Sequence, residues 1–251
     1  MIEKLGVQVY TAINYMQTER DIRESFHKFK ALGYDQIQTC GCPIPYERYG
    51  ELAREAGLEI IGTHDSFAPM VNDFEQAYKN HQALGTKHMG IGAAWGEGVE
   101  FWRDFIEKAN EVGEKVAAHG GYFTYHNHCE EFERLSNGKS VMEMLVEGLD
   151  PKTTRFVLDT YWIQFAGGDV RRWIHDLAGR ISVLHLKDMA IKGETPYYTE
   201  IGNGNLWWEE IIRESEAAGV EYYVVEQDEC PGDPFESLRI SSEYIHRHFM
   251  R

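Results

Sequence analysis

The chain is predicted to fold as a single (β/α)8 barrel, an α/β domain occupying residues 1–251. Three observations support this. Eight short apolar segments alternate with eight segments of helical period, the pattern of a parallel sheet covered by helices. The length of 251 residues matches the ~250 residues typical of a barrel closed by eight such units. Four apolar segments in the second half end in His, Asp, Glu or Lys, as barrel strands do when their C-terminal ends carry chemistry.

The strands are expected near Leu5–Tyr10, Gln36–Cys40, Leu58–His64, His88–Ala93, Tyr122–His128, Arg155–Thr160, Ser182–Asp188 and Tyr222–Asp228. The helices are expected over Ile22–Leu32, Tyr46–Ala56, Phe74–Leu84, Phe101–Ala118, Val141–Leu149, Val170–Leu177, Trp207–Ala218 and Phe235–Phe249. Glycine follows several of them, at Gly33, Gly57, Gly85, Gly120 and Gly219, where a left-handed residue ends a helix without a Cβ penalty. Asp73, Asp169 and Asn205 are placed to cap helix starts. No linker, low-complexity tract or spare segment separates these units.

The formal charge of −16 argues against nucleic acid, whose binding needs a cationic face, and against anionic membranes. A small neutral molecule is the expected partner, with homo-oligomerisation left open. No run approaches the ~20 apolar residues of a membrane span, and Met1 to Val9 lacks the apolar core of a signal peptide. The four cysteines, Cys40, Cys42, Cys129 and Cys230, are read as unpaired thiols of a reducing cytoplasm.

Side chains of a barrel strand alternate between the surrounding helices and the interior. In Phe123–His128 the apolar Phe123 and Tyr125 take one face, leaving Thr124, His126 and His128 on the other. The same rule groups Val157 with Asp159, Val183 with His185 and Lys187, and Val224 with Glu226 and Asp228. All four polar endings can therefore converge at one mouth. Asp159, His185, Glu226 and either His126 or His128 supply two carboxylates and two imidazoles, a donor set suited to Mn²⁺, Zn²⁺, Co²⁺ or Fe²⁺ more than to Mg²⁺.

Tyr125-His126-Asn127-His128, Leu158-Asp159-Thr160-Tyr161-Trp162, His185-Leu186-Lys187-Asp188-Met189 and Val224-Val225-Glu226-Gln227-Asp228 resemble the sugar phosphate isomerase/epimerase family. That family has the xylose-isomerase-like barrel and is grouped with the family 2 AP endonucleases. The resemblance runs from Val7 to Glu226. It implies one divalent metal, most often Mn²⁺, with Asp159, His185 and Glu226 as ligands and His126 standing where the family usually has glutamate.

The implied activity is isomerisation or epimerisation of a keto-sugar by proton abstraction next to a carbonyl, through an enediolate-type intermediate. Replacement of the first glutamate by His126 keeps a second outcome open: elimination from a keto-sugar, inosose or 3-keto-glycoside by a lyase or dehydratase. A non-catalytic sugar- or metal-binding barrel is a third reading, and an abasic-site endonuclease is disfavoured by the charge. Glu226, His126, His128 and Lys187 are the candidate catalytic residues, His126 and Glu226 as bases and Lys187 as an oxyanion partner. His64, Trp95, Tyr161 and Trp162, the last three in loops past strand ends, are candidates for sugar binding. Gly202-Asn203-Gly204-Asn205 has the composition of an anion cradle before a helix but the spacing of neither known phosphate motif.

Overall fold

A computed structural model describes all residues 1–251. Eight parallel strands form the barrel: β1 (Leu5–Gln8), β2 (Gln36–Cys40), β3 (Glu59–His64), β4 (His88–Ile91), β5 (Tyr122–His126), β6 (Thr154–Asp159), β7 (Ile181–Leu186) and β10 (Tyr222–Val225). Each pairs with its neighbours in the order β3-β2-β1-β10-β7-β6-β5-β4. The ring closes between β3 and β4 through a single parallel bridge, Asp65 to Ile91, with the Asp65 N–H donating to the Gly90 carbonyl at 2.9 Å.

Around the strands run α1 (Glu19–Ala31), α2 (Tyr46–Glu55), α3 (Phe67–Asn72), α4 (Phe74–Leu84), α5 (Gly98–Ala118), α6 (Val141–Gly148), α7 (Thr160–Phe165), α8 (Val170–Asp176), α9 (Trp208–Ala218) and α10 (Pro234–His248). Thr18 with Asp21 and Ser140 with Glu143 form capping boxes that start α1 and α6. Asp73 and Asp169 cap α4 and α8 as expected. All five glycines read as helix stops have positive φ. The four cysteines are unpaired. No helix is long and apolar enough to cross a membrane.

Face alternation is visible in the packing. Val157, Val183 and Val224 join Ile61 in a small cluster inside the barrel, while Phe123, Tyr125, Phe156, Leu158, Leu184 and Leu186 belong to the large core between strands and helices. A one-residue slip of any strand would exchange these two sets, so the apolar pattern fixes which end-residues reach the mouth.

The expected elements need five corrections. The strand expected through His128 ends at His126, and the last ends at Val225, so His128, Glu226 and Asp228 lie just beyond regular pairing. Val9–Tyr15 is a 3-10 helix rather than the end of the first strand. The chain does have a spare segment: β8 (Asp188–Lys192) and β9 (Thr195–Thr199) form an antiparallel hairpin after β7. Gly193, at φ +63, makes its tight turn, and Pro196 is tolerated because the two-stranded ribbon is all edge. Asn205 caps nothing; α9 starts at Trp208 without a side-chain cap, and the Asn205 N–H donates to the Met189 carbonyl at 2.7 Å.

Candidate active site

His126, Asp159, His185 and Glu226 meet at the C-terminal mouth of the barrel. All four are buried, and one donor atom from each lies within 4.8 Å of every other. His126 is thus the histidine of the Tyr-His-Asn-His motif that joins the cluster. Donor atoms ~2.1 Å from a common ion stand at most ~4.2 Å apart when opposite one another, so the cluster is close to a coordination sphere.

The orientation of each side chain has a local cause. Asp159 is the N-cap of α7, its Oδ1 accepting from the Trp162 N–H at 3.0 Å; its own N–H donates to Asn127 Oδ1 at 3.0 Å. This leaves Oδ2 facing the mouth, 3.4 Å from His126 Nε2 and 3.6 Å from His185 Nδ1. His126 Nδ1 lies 2.9 Å from the Gly92 carbonyl, a partner that can only accept, so Nδ1 carries the proton and Nε2 turns a lone pair inward. His185 Nε2 lies 2.6 Å from Gln38 Oε1, which leaves Nδ1 inward, 2.9 Å from Glu226 Oε2. Outward N–H groups held by carbonyls are how histidine ligands are presented to metals.

Those inward atoms are all acceptors, and His185 Nδ1 has no hydrogen-bond partner. Lone pairs facing carboxylates at such distances require a cation among them. Burial opposes charge on His185, but Glu226 and Asp159 outweigh it and push its pKa up to about 9. A proton on Nδ1 is one cation that meets this demand. A divalent metal displacing that proton is the other, and the mixed N/O donor set fits it.

Lys187, 1% exposed, extends the cluster. Its Nζ lies 2.6 Å from Asp228 Oδ1, 3.2 Å from Glu226 Oε2 and 3.5 Å from Asp159 Oδ2. Burial alone would favour the neutral amine, yet the three carboxylates raise its pKa, so it stays an ammonium. The rings of Trp162, Tyr198 and Tyr161 stand 5.0, 5.3 and 5.9 Å from Nζ, within cation–π range. The Thr160 hydroxyl sits 2.9 Å from the carbonyls of both His185 and Lys187 and accepts from the Lys187 N–H at 3.1 Å. It ties the end of β7 to α7.

The remaining sequence candidates divide. His64 is in the site, its ring 4.8 Å from that of His126 and 5.5 Å from that of His185. His128 stands one layer out, 4.6 Å from His126, between Trp95 at 5.7 Å and Trp162 at 5.5 Å. Burial, then the neighbouring His126, lowers its pKa to about 3. Trp95 is 66% exposed at the rim. Tyr161 and Trp162 are on helix α7, not in a loop, because Asp159 caps that turn. Tyr161 is buried and stacks on Tyr198 at 4.3 Å.

The glycine-rich stretch does cradle an anion, but an internal one. Asp188 Oδ2 accepts from the N–H groups of Gly202 at 2.9 Å and Gly204 at 3.2 Å and from Trp208 Nε1 at 2.7 Å. Its Oδ1 accepts from Met189 N–H at 2.9 Å and Leu206 N–H at 3.3 Å.

Several residues of the site are absent from the sequence candidates: Gln8, Gln38, Asn127, Glu131, Asp228 as the Lys187 partner, and Tyr198. Glu131 is buried and accepts from Tyr125 Oη at 2.6 Å and from the His128 N–H at 2.7 Å, holding the loop past β5. Gln8 and Gln38 did leave a signal, since a glutamine alternating with apolar residues inside a short strand must point into the barrel.

Comparison with known proteins bears on the fold. Residues 26–246 match the family described as xylose isomerase-like TIM barrel. Over 171 residues the chain is 27% identical to an inosose dehydratase from Geobacillus thermodenitrificans (strain NG80-2), covering 58% of this chain and 54% of that one. The chain therefore spans about half the length of the curated relative it matches. A sugar phosphate isomerase/epimerase from Parabacteroides distasonis superposes with a TM-score of 0.82 at 22% identity, covering 98% of this chain and 94% of that one. A probable 3-DHS dehydratase of petrobactin synthesis from Bacillus anthracis superposes with a TM-score of 0.77 at 15% identity, covering 98% and 99%. At such identities the two structures share the fold alone. The match over residues 26–246, together with the eight-stranded ring, shows that the chain belongs to the xylose isomerase-like TIM barrel family.

Proposed function

We propose that this protein is a metal-dependent enzyme that removes a proton next to the carbonyl of a keto-sugar. His126 Nε2, Asp159 Oδ2, His185 Nδ1 and a Glu226 oxygen would hold one divalent ion, with Mn²⁺ the first expectation. When bound, such an ion polarises a carbonyl or enediolate oxygen as a Lewis acid. The observation that carries the reading is the pair of inward-facing acceptors, His185 Nδ1 and Glu226 Oε2, 2.9 Å apart.

The chain's own groups suggest how the proton moves. Glu226, a carboxylate at the mouth, is the base. Lys187, held as an ammonium by three carboxylates, cannot act as one; it supplies positive charge to a developing oxyanion. His126 has its Nδ1 proton engaged by Gly92 and its Nε2 turned to Asp159. His128 stands one layer outside the cluster, between Trp95 and Trp162. One base and one fixed cation suffice for a proton shift between neighbouring carbons on one face of a sugar, the isomerase reading. They also suffice for elimination β to the carbonyl. Epimerisation needs a second base on the opposite face, and of the two other carboxylates Asp159 would ligate the metal while Asp228 is paired with Lys187 at 2.6 Å. A single base therefore serves isomerisation and elimination alike, and the inosose dehydratase relative supports elimination of water as the second reading.

The test is turnover of keto-sugars, inososes and 3-keto-glycosides in D₂O with Mn²⁺. Deuterium entering an intact skeleton identifies isomerisation, and release of water or aglycone identifies elimination. Absence of stoichiometric metal, with no exchange of any substrate proton, would refute the proposal.

A further inference from the structure

Gln8 and Gln38 are register partners on β1 and β2, both buried completely, and together they decide where protons sit on two histidines. The Gln8 amide cannot be turned over: its Oε1 accepts from the Tyr10 N–H at 3.3 Å, so its NH₂ faces the mouth. That group donates to Gln38 Oε1 at 3.1 Å and meets His64 Nδ1 at 3.3 Å. Gln38 Oε1 in turn lies 2.6 Å from His185 Nε2. A ring nitrogen that faces an amide NH₂ must accept. His64 therefore carries its one proton on Nε2, and an imidazolium would set N–H against N–H. His64 Nε2 is buried without a partner in the folded chain, while the ring packs against His126 and His185.

We infer that Gln8 is a positioning residue that fixes His64 as a neutral Nε2–H donor, so that the site offers a donor and no acceptor to a substrate oxygen at that point, as a carbonyl or enediolate oxygen requires. This deepens the reading of the site as one that enolises a keto-sugar, and it rests on that reading. It assigns the carbonyl end of the substrate to the β1–β3 side of the mouth. His64 and Lys187 then flank the reacting oxygen with donors, and Glu226 remains the acceptor for the proton. Gln38 does the same service for His185 with the opposite consequence, since tying up its Nε2–H leaves Nδ1 free.

The test reads the tautomer directly. In ¹⁵N-histidine-labelled protein loaded with Zn²⁺, two-bond ¹H–¹⁵N correlations, assigned by comparison with His64→Asn, should show His64 protonated at Nε2. Gln8→Glu offers a carboxylate in place of the NH₂ and should move the proton to Nδ1. Gln8→Met, close in shape, should leave a mixture of tautomers. Both variants should lose at least tenfold in kcat/KM, mostly through kcat. A wild-type His64 protonated at Nδ1, or a tautomer unmoved in both variants, would overturn the inference. The same spectra recorded without metal separate the two readings: a failed metal site leaves the Gln8–His64 result standing, and a failed tautomer result leaves metal binding untouched.

Discussion

Lys187 Nζ sits 2.6 Å from Asp228 Oδ1 with its stem buried to within 1%, which makes it a fixed cation and not a titrating base. Replacing it by methionine removes the charge but keeps the stem. Lys187→Met is expected to lower kcat by on the order of 100-fold, as loss of one oxyanion partner does, while KM changes little. Asp228→Asn, which leaves Glu226 and Asp159 to hold the ammonium, should cost less, about tenfold. Steady-state kinetics of both variants decide it; equal losses, or a pH profile in which Lys187 titrates near neutrality, would contradict the assignment.

Metal content should follow the carboxylates. Asp159→Ala removes the oxygen that faces both histidines, and Glu226→Gln weakens the fourth donor. Metal analysis after purification without added metal should show about one ion per chain in the wild type, near zero for Asp159→Ala and an intermediate value for Glu226→Gln. Chelation should lower the melting temperature of the wild type, since an ion that binds only the folded state stabilises it by mass action. An Asp159→Ala protein that retains full metal content would remove Asp159 from the ligand set.

Asp188 should matter for folding more than for turnover. Its carboxylate satisfies five N–H groups that would otherwise be left without a partner. Asp188→Ala should cost about 3 kcal/mol, or a drop on the order of 10 °C in melting temperature for a chain this long. Calorimetry measures this, and an unchanged melting temperature would mean that water replaces the carboxylate.

His81, buried on α4 away from the mouth, gives a pH dependence. Burial lowers its pKa from 6.5 to about 4, so the fold prefers the neutral ring. Its contribution is complete above pH 6.5, where the unfolded chain is also neutral. It is lost as pH falls from there toward about 4, up to about 3 kcal/mol. His81→Gln lacks this term. The stability gap between the wild type and His81→Gln should therefore narrow on going from pH 7.5 to pH 4.5, as followed by urea unfolding. A constant gap would show that the ring is solvated.

The barrel and the face of each strand were legible because both depend on period-two alternation of apolar residues, a strong local signal. Asp159, His185, Glu226 and either His126 or His128 could be grouped from it alone. What the period cannot carry is the course of the chain past a strand end. His128 lies two residues beyond the last paired one, and it turns aside because Glu131, a residue still further on, anchors its N–H. The β8–β9 hairpin escaped because its strands begin one residue after Lys187 with no breaker between. Tyr161 reads as a loop aromatic until Asp159 is recognised as both a cap and a site residue. Gln8 and Gln38 gain meaning only through each other, from strands 28 residues of chain apart.

The anion cradle of Gly202 and Gly204 is already filled by Asp188, and this bears on what can enter. A phosphorylated sugar would find that cradle taken, while the cation nearest the mouth is shared among three carboxylates. The net charge of −16 adds long-range repulsion of anions. Selectivity by charge follows: a keto-sugar should outcompete its own phosphate ester, and more strongly at low ionic strength than at high.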